Sequence, residues 1–144
     1  MLPWIEKWLF KPRQEAAHLH TGKWGEQQAL RFLKAHRYAI RGVRVRVGRH
    51  DEIDLVAQHG PTLVFVEVKT RRSERYGRPF AAVNKAKRKR LSRAAVGYLR
   101  KNKDTPDYIR FDVVEVIGEP DGAAPRIRHI ENAFQLDSAY RLWW

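Results

Sequence analysis

Asp54, Glu67 and Lys69 are the residues whose types and spacing in this sequence could do chemistry. Glu67 and Lys69 interrupt an apolar run, "FVEVKTR" at 65–71, where desolvating either charge costs several kcal/mol unless it is paired. A second run, "EIDLVA" at 52–57, carries Asp54. If the chain turns between Gly60 and Pro61, the two runs pair as an antiparallel hairpin. Asp54 then faces Glu67, Val56 faces Phe65 and Glu52 faces Lys69. Opposed residues in such a ladder have Cα atoms about 4.5–5.5 Å apart, and alternation keeps Glu67 and Lys69 on the face of Asp54. Two carboxylates so placed share a divalent cation, or one of them takes up a proton. A slip of one residue would send Glu67 to the other face.

The reaction that wants this set is phosphodiester hydrolysis, because an anionic phosphate repels nucleophiles until a metal ion neutralises it and acidifies a water. Asp54 and Glu67 would anchor Mg²⁺ or Mn²⁺, with the Val68 carbonyl as a further oxygen ligand. Lys69 would hold the attacking water or stabilise charge on the phosphate, and it stays an ammonium beside carboxylates. Glu26, in the first turns of the first helical segment, is a third acid, although an acid there also suits the helix dipole. The competing reading of the strand charges is a Glu52–Lys69 cross-strand ion pair. Both hold together if Glu52 positions Lys69.

Composition narrows the class. The 144 residues suit one domain, and 43% hydrophobic content with 5 Trp, 5 Tyr and 6 Phe argues against disorder. The absence of cysteine excludes disulfides and thiolate metal sites and suits a reducing, cytoplasmic setting. Lys and Arg number 29 against 16 Asp and Glu, a formal charge of +13 that calls for a polyanionic partner, nucleic acid first. No apolar stretch is long enough to span a bilayer. "MLPWIEKWLF" lacks the features of a signal peptide, and Trp4, Ile5, Trp8 and Leu9 predict a short amphipathic helix. It is expected to pack on the domain or on a second copy. Membrane-surface contact by residues 4–10 is the secondary reading.

The positioning elements follow from periodicity. "KPRQEAAHLHTG" at 11–22 reads as a linker, and "KWGEQQALRFLKAH" at 23–36 as a helix. In "AIRGVRVRVG" at 39–48, Val43, Val45 and Val47 alternate with Arg44 and Arg46, as in a half-exposed strand. Strands at 52–57 and 62–70 follow, then an arginine-rich loop and a helix from about Ala81 to Asn102. Pro106 breaks that helix, "YIRFDVVEVIG" at 108–118 is a fourth strand, and "RIRHI" at 126–130 is an optional fifth. His18-x-His20 lacks partners for zinc. Trp143 and Trp144 could stack on bases or pack against Trp4 and Trp8.

These stretches resemble the PD-(D/E)xK nuclease superfamily and, more narrowly, the bacterial YraN family, predicted nucleases related to archaeal Holliday-junction resolvases. The likeness is carried by "GEQQAL" (25–30), "EIDLVA" (52–57), "LVFVEVKTR" (63–71), "AAVNKAKRKRLSRAA" (81–95) and "RFDVVEV" (110–116). It implies an α/β fold with a restriction-endonuclease-like core: a mixed sheet of 4–5 strands flanked by helices in α-β-β-β-α-β order. It also implies that Asp54 and Glu67 ligate metal, Lys69 is the catalytic lysine and Glu26 the first-helix acid. Glu52 and Lys87 fall on positions the family fills in the same way. Asp51 stands where the family usually has glycine, adding negative charge beside the site.

The expected organisation is therefore an extension and linker at 1–21, a nuclease-like domain at 22–134 and an aromatic tail at 135–144. "KAKRKRLSR" at 85–93 supplies Lys85, Lys87, Arg88, Lys89, Arg90 and Arg93, with no acidic partner inside the run. With Arg44, Arg46, Arg71, Arg72, Arg75 and Arg78 these are expected to track phosphates. The expected activity is metal-dependent endonucleolytic cleavage of DNA, branched or otherwise structured. The alternative is a non-catalytic nucleic-acid-binding protein that keeps the fold. Kinship to junction resolvases raises a homodimer, since two strands must be cut.

Overall fold

The computed structural model describes residues 21–144. The expected N-terminal helix at Trp4–Leu9 and the histidines of the linker lie outside the described residues. Helix α1 occupies 21–35, so Thr21 and Gly22, expected to precede it, are already helical. Neither is a good helix former. Packing of an amphipathic face, which carries most of a helix's stability, overrides their propensity.

The strands are β1 (Ala39–Val47), β2 (Asp51–His59), β3 (Thr62–Arg71), β4 (Tyr108–Ile117) and β5 (Arg126–Phe134). They form one mixed sheet in the order β1-β2-β3-β4-β5. Only β3 and β4 are parallel, and a parallel pair needs a crossover. Helix α2 (Lys85–Lys101) provides it, preceded by a 3₁₀ turn at Pro79–Ala82. The expected α-β-β-β-α-β order is present, and the optional fifth strand is full length.

Helix α2 starts later than the pattern predicts. Val83 and Asn84 stay outside it, and the Asn84 side chain accepts the Lys87 N–H at 2.9 Å, capping the helix. A short polar side chain before the basic run thus resets the start to Lys85.

Alternation in the strands builds two cores. Leu63, Phe65, Phe111 and Val113 point to one face, where Leu91, Ala94, Ala95 and Leu99 of α2 cover them. Val64, Val66, Val114 and Val116 point to the other, under Ala29 and Leu33 of α1. Leu99→Ala would leave a cavity costing about 2–5 kcal/mol. The β2–β3 register is the expected one, running from His59↔Thr62 to Leu55↔Val66. Gly60, at φ +57°, makes the tight turn that sets it.

Strand β1 departs from its predicted alternation. A bulge falls between Ile40 and Gly42, and Arg44 adopts φ +49°. Val47 is buried and Val45 packs on the α2-side core, but Val43 is 48% exposed. The kink turns its side chain away from the valine face.

Candidate active site

The site lies where the β2–β3 ladder stops. Its last pair is Leu55↔Val66, and beyond it the Val68 N–H donates to Asp54 Oδ2 at 2.8 Å instead of to a strand carbonyl. The neighbouring β1–β2 ladder pairs Val43 with Leu55 and Val45 with Ile53, and it skips the facing positions Arg44 and Asp54. Both ladders open at Asp54. A side chain replaces a backbone acceptor there, and a non-glycine residue sits in the left-handed region, a strain of about 1–3 kcal/mol that proteins retain mainly at functional sites.

Glu67 stands on the α2 face of β3 and is only 4% exposed. Its Oε1 takes two ammonium groups, Lys69 Nζ at 3.2 Å from the same strand and Lys87 Nζ at 3.3 Å from α2. Its Oε2 is buried with no hydrogen-bond partner. An orphaned buried carboxylate oxygen costs several kcal/mol unless something else meets it. Asp54 feels the same shortage. Burial first, and then the charge of Glu67, push its carboxyl up to about 7, while the Val68 N–H and Lys87 pull the other way.

Glu26 reaches the same space from α1. The helix can approach because residue 25 is glycine: a Cβ there would lie 1.9 Å from Thr70 Oγ1 at the end of β3. Glu26, Asp54, Glu67, Val68, Lys69, Thr70 and Arg71 line a cavity of about 380 Å³ with Thr21 and Gly22. The Glu26 carboxylate, however, is held by Arg44 Nε at 2.5 Å. Among the described residues, no group of three or more His, Cys, Asp or Glu is gathered for a metal ion. The cavity acids not held by an arginine are thus Asp54 and Glu67, whose hard carboxylate oxygens are of the class that suits Mg²⁺ or Mn²⁺.

Other expected site residues are placed differently. Glu52 is exposed opposite Arg46 of β1, and Lys69 pairs with Glu67 rather than with Glu52. The ladder ends before that cross-strand pair can close. Asp51, the departure from the family pattern, does not charge the site: Arg93 of α2 grips it bidentately at 2.7 and 2.8 Å. Arg44 is engaged by Glu26. Arg88 turns inward, donating to the Val83 carbonyl at 3.1 Å and lying over the rings of Phe80 and Phe134. Arg78 bonds Glu115 at 2.9 Å, and exposed Arg72 reaches Glu119 at 3.8 Å. Lys85, Lys89, Arg90 and Arg46 are exposed, as are Arg71 at the cavity and Arg75 in the loop after β3.

The pattern reading missed two carboxylates of β4, although the signal that picked out Glu67 was there in "RFDVVEV". Asp112 is 1% exposed and is met by Arg110, His129 Nε2 at 2.7 Å and the Asn132 N–H at 2.9 Å. Arg110 also donates to Tyr38 Oη at 2.8 Å. Glu115 is 0% exposed and receives Arg78, Arg128 and the Phe80 N–H at 2.8–2.9 Å. His59, at the end of β2, stacks on Tyr38 with ring centroids 4.2 Å apart. At the carboxyl end of the chain, Leu142 packs on the α2-side core and Trp144 Nε1 donates to the Pro106 carbonyl at 3.1 Å.

Comparison with known proteins agrees with the fold's signature residues. Residues 25–116, spanning α1 to β4, match the family described as Uncharacterised protein family UPF0102. A UPF0102 protein of Symbiobacterium thermophilum is 55% identical over 116 residues, 79% of this chain and 95% of that relative. Those of Geobacter metallireducens and Geotalea uraniireducens are 45% and 44% identical, covering 80% and 88% of this chain and 92% and 98% of theirs. The chain belongs to the UPF0102 family, the YraN family that its strand motifs resemble.

Proposed function

We propose that this protein is a metal-dependent endonuclease that hydrolyses phosphodiester bonds in DNA. The observation that carries the reading is Glu67: a buried residue lining the cavity with Asp54, one oxygen held by two lysines and the other without a hydrogen-bond partner. Asp54, Glu67 and the Val68 carbonyl would hold Mg²⁺ or Mn²⁺, which when bound supplies charge neutralisation of the phosphate and a more acidic water. A cation would also answer the orphaned oxygen and return the Asp54 carboxyl to its ionised form.

The chain's own groups do the rest. Lys69 is kept at the cavity by Glu67 and can stabilise negative charge that develops on the phosphate. Lys87 holds Glu67 from the other side and fixes its rotamer. Arg71 lines the cavity rim, and exposed Lys85, Lys89 and Arg90 continue the positive surface along α2. With a formal charge of +13 this surface would draw polyanions and bind them in a salt-dependent way.

The test is a cleavage screen with Mn²⁺ over linear, single-stranded, flapped and four-way DNA. Cleavage is expected with wild type and lost in Asp54→Ala, Glu67→Ala and Lys69→Ala. Vigorous cutting by all three variants would refute the assignment. A second reading, nucleic-acid binding without catalysis, is favoured by one observation: of the three acids that line the cavity, Glu26 is already neutralised by Arg44. Normal DNA binding with no cleavage on any substrate and no Mn²⁺ uptake by calorimetry would establish that reading.

A further inference from the structure

The loop between β3 and α2 joins the two elements whose lysines meet on Glu67. It is clamped from both sides. Glu74 takes Arg126 at 3.2 Å and Arg128 at 2.5 Å, and the Gly77 N–H closes a turn on the Glu74 carbonyl at 3.0 Å. Four residues beyond Glu74, Arg78 bonds the fully buried Glu115, which also holds Arg128 and the Phe80 N–H. The loop's start is fixed as well, since the Gly118 N–H donates to the Arg71 carbonyl at 2.9 Å.

In the middle of this clamped turn stands Tyr76, 94% exposed, against 65% for Tyr108 and 46% for Trp144. A side chain this exposed adds nothing to the core, yet the turn that displays it is anchored through a buried carboxylate. Arg75 lies 5.7 Å from its ring centroid, and Arg71 at the end of β3 and Arg72 in the same loop are exposed. An open aromatic face among cations is the pairing that takes up unstacked bases together with their phosphates. Duplex bases, whose faces are covered by their neighbours, cannot use it. Arg71 lines the cavity and Tyr76 follows five residues later, a reach of at most about 18 Å.

We infer that Tyr76 is a stacking platform for an unpaired nucleobase beside the carboxylate cavity, so that the favoured substrate is DNA with unpaired bases near the scissile phosphate. The inference rests on the nuclease reading for its substrate class, but its test does not need cleavage. Binding would be measured by fluorescence anisotropy in EDTA, on a flapped DNA and on a fully paired duplex of matching sequence. A 2-aminopurine base in the flap reports stacking by quenching. Tyr76→Ala should melt with wild type, bind the flap about five- to a hundredfold more weakly, lose the quenching and bind duplex unchanged. Tyr76→Phe should behave as wild type. Equal weakening on duplex and flap, or no weakening on either, would overturn the inference and leave the nuclease reading standing. Wild-type protein that binds neither DNA would overturn both.

Discussion

Two pairs of acids sit in the three central strands of this sheet, Asp54 and Glu67 in β2 and β3 and Asp112 and Glu115 in β4, and the fold treats them in opposite ways. Asp112 and Glu115 of β4 are buried, and every oxygen of both carboxylates has a donor. Burial works against their charge, but the bonds from His129 and Arg110 to Asp112, and from Arg78 and Phe80 to Glu115, hold both carboxyls below their ordinary values. Glu67 and Asp54 are short of donors: one oxygen is bare, one ladder is broken, and Asp54 is raised to about 7. A carboxylate with all its bonds made is a fastener. A pair left wanting a cation is a candidate site, and burial alone does not tell the two apart.

That contrast can be broken by experiment. The largest effect is expected from Asp112→Ala, which strands a guanidinium and an imidazole that are only 18% and 10% exposed. Losing one partner of a buried pair should lower unfolding free energy by about 3–5 kcal/mol in urea titrations. Mn²⁺ at a hundred times its Kd should stabilise wild type by about 2.7 kcal/mol, seen as a raised melting temperature, and Glu67→Gln should remove that response. The Glu67→Gln protein without metal should lie within about 1 kcal/mol of wild type. Its amide keeps an acceptor for the lysines and gives Asp54 a donor in place of a repelling charge.

The pH dependence should separate the pairs by sign. Asp54 has a folded value of about 7 against 3.8 for the unfolded reference, so the native state holds the extra proton between those limits. Its contribution is complete below about pH 4 and fades as pH rises through 7. Asp112 and Glu115 are lowered, so theirs is present above the unfolded values and fades as acid protonates the native state. Replacing Asp54 by Asn should flatten the stability profile between pH 4 and 7 and leave the acid limb intact. The smallest effect is expected from Lys89→Ala, which should reduce the salt slope of DNA binding by about one unit.

The frame of this site was legible because hairpin register follows from a turn and a period. Gly60 and Pro61 set the pairing from His59↔Thr62 to Leu55↔Val66, and that put Asp54 and Glu67 together. What periodicity cannot carry is the point where a ladder fails. Asp54 takes the Val68 N–H, Arg44 flips to φ +49°, and the Glu52–Lys69 pair never forms. The partners of long flexible side chains were equally hidden. Lys87 and Arg88 are neighbours in a basic run, yet one reaches Glu67 and the other lies on two aromatic rings. Helix pitch and packing decide between them. Asp112 and Glu115 could have been singled out as Glu67 was, and Arg110 stands two residues before Asp112 in the same strand, but His129 and Arg128 come from β5 and Arg78 from a distant loop.

Gly25 has a consequence for how this protein tolerates change. Its hydrogen stands where a methyl would collide with Thr70 Oγ1, so the width of one atom fixes the seat of α1 on β3. In a saturation library selected for activity, position 25 should be depleted of every other residue although glycine offers no side chain to act. A chemist scanning for catalytic groups would pass over it. An alanine there would act as a spacer inserted under the helix, and Glu26, one residue along, would move with it.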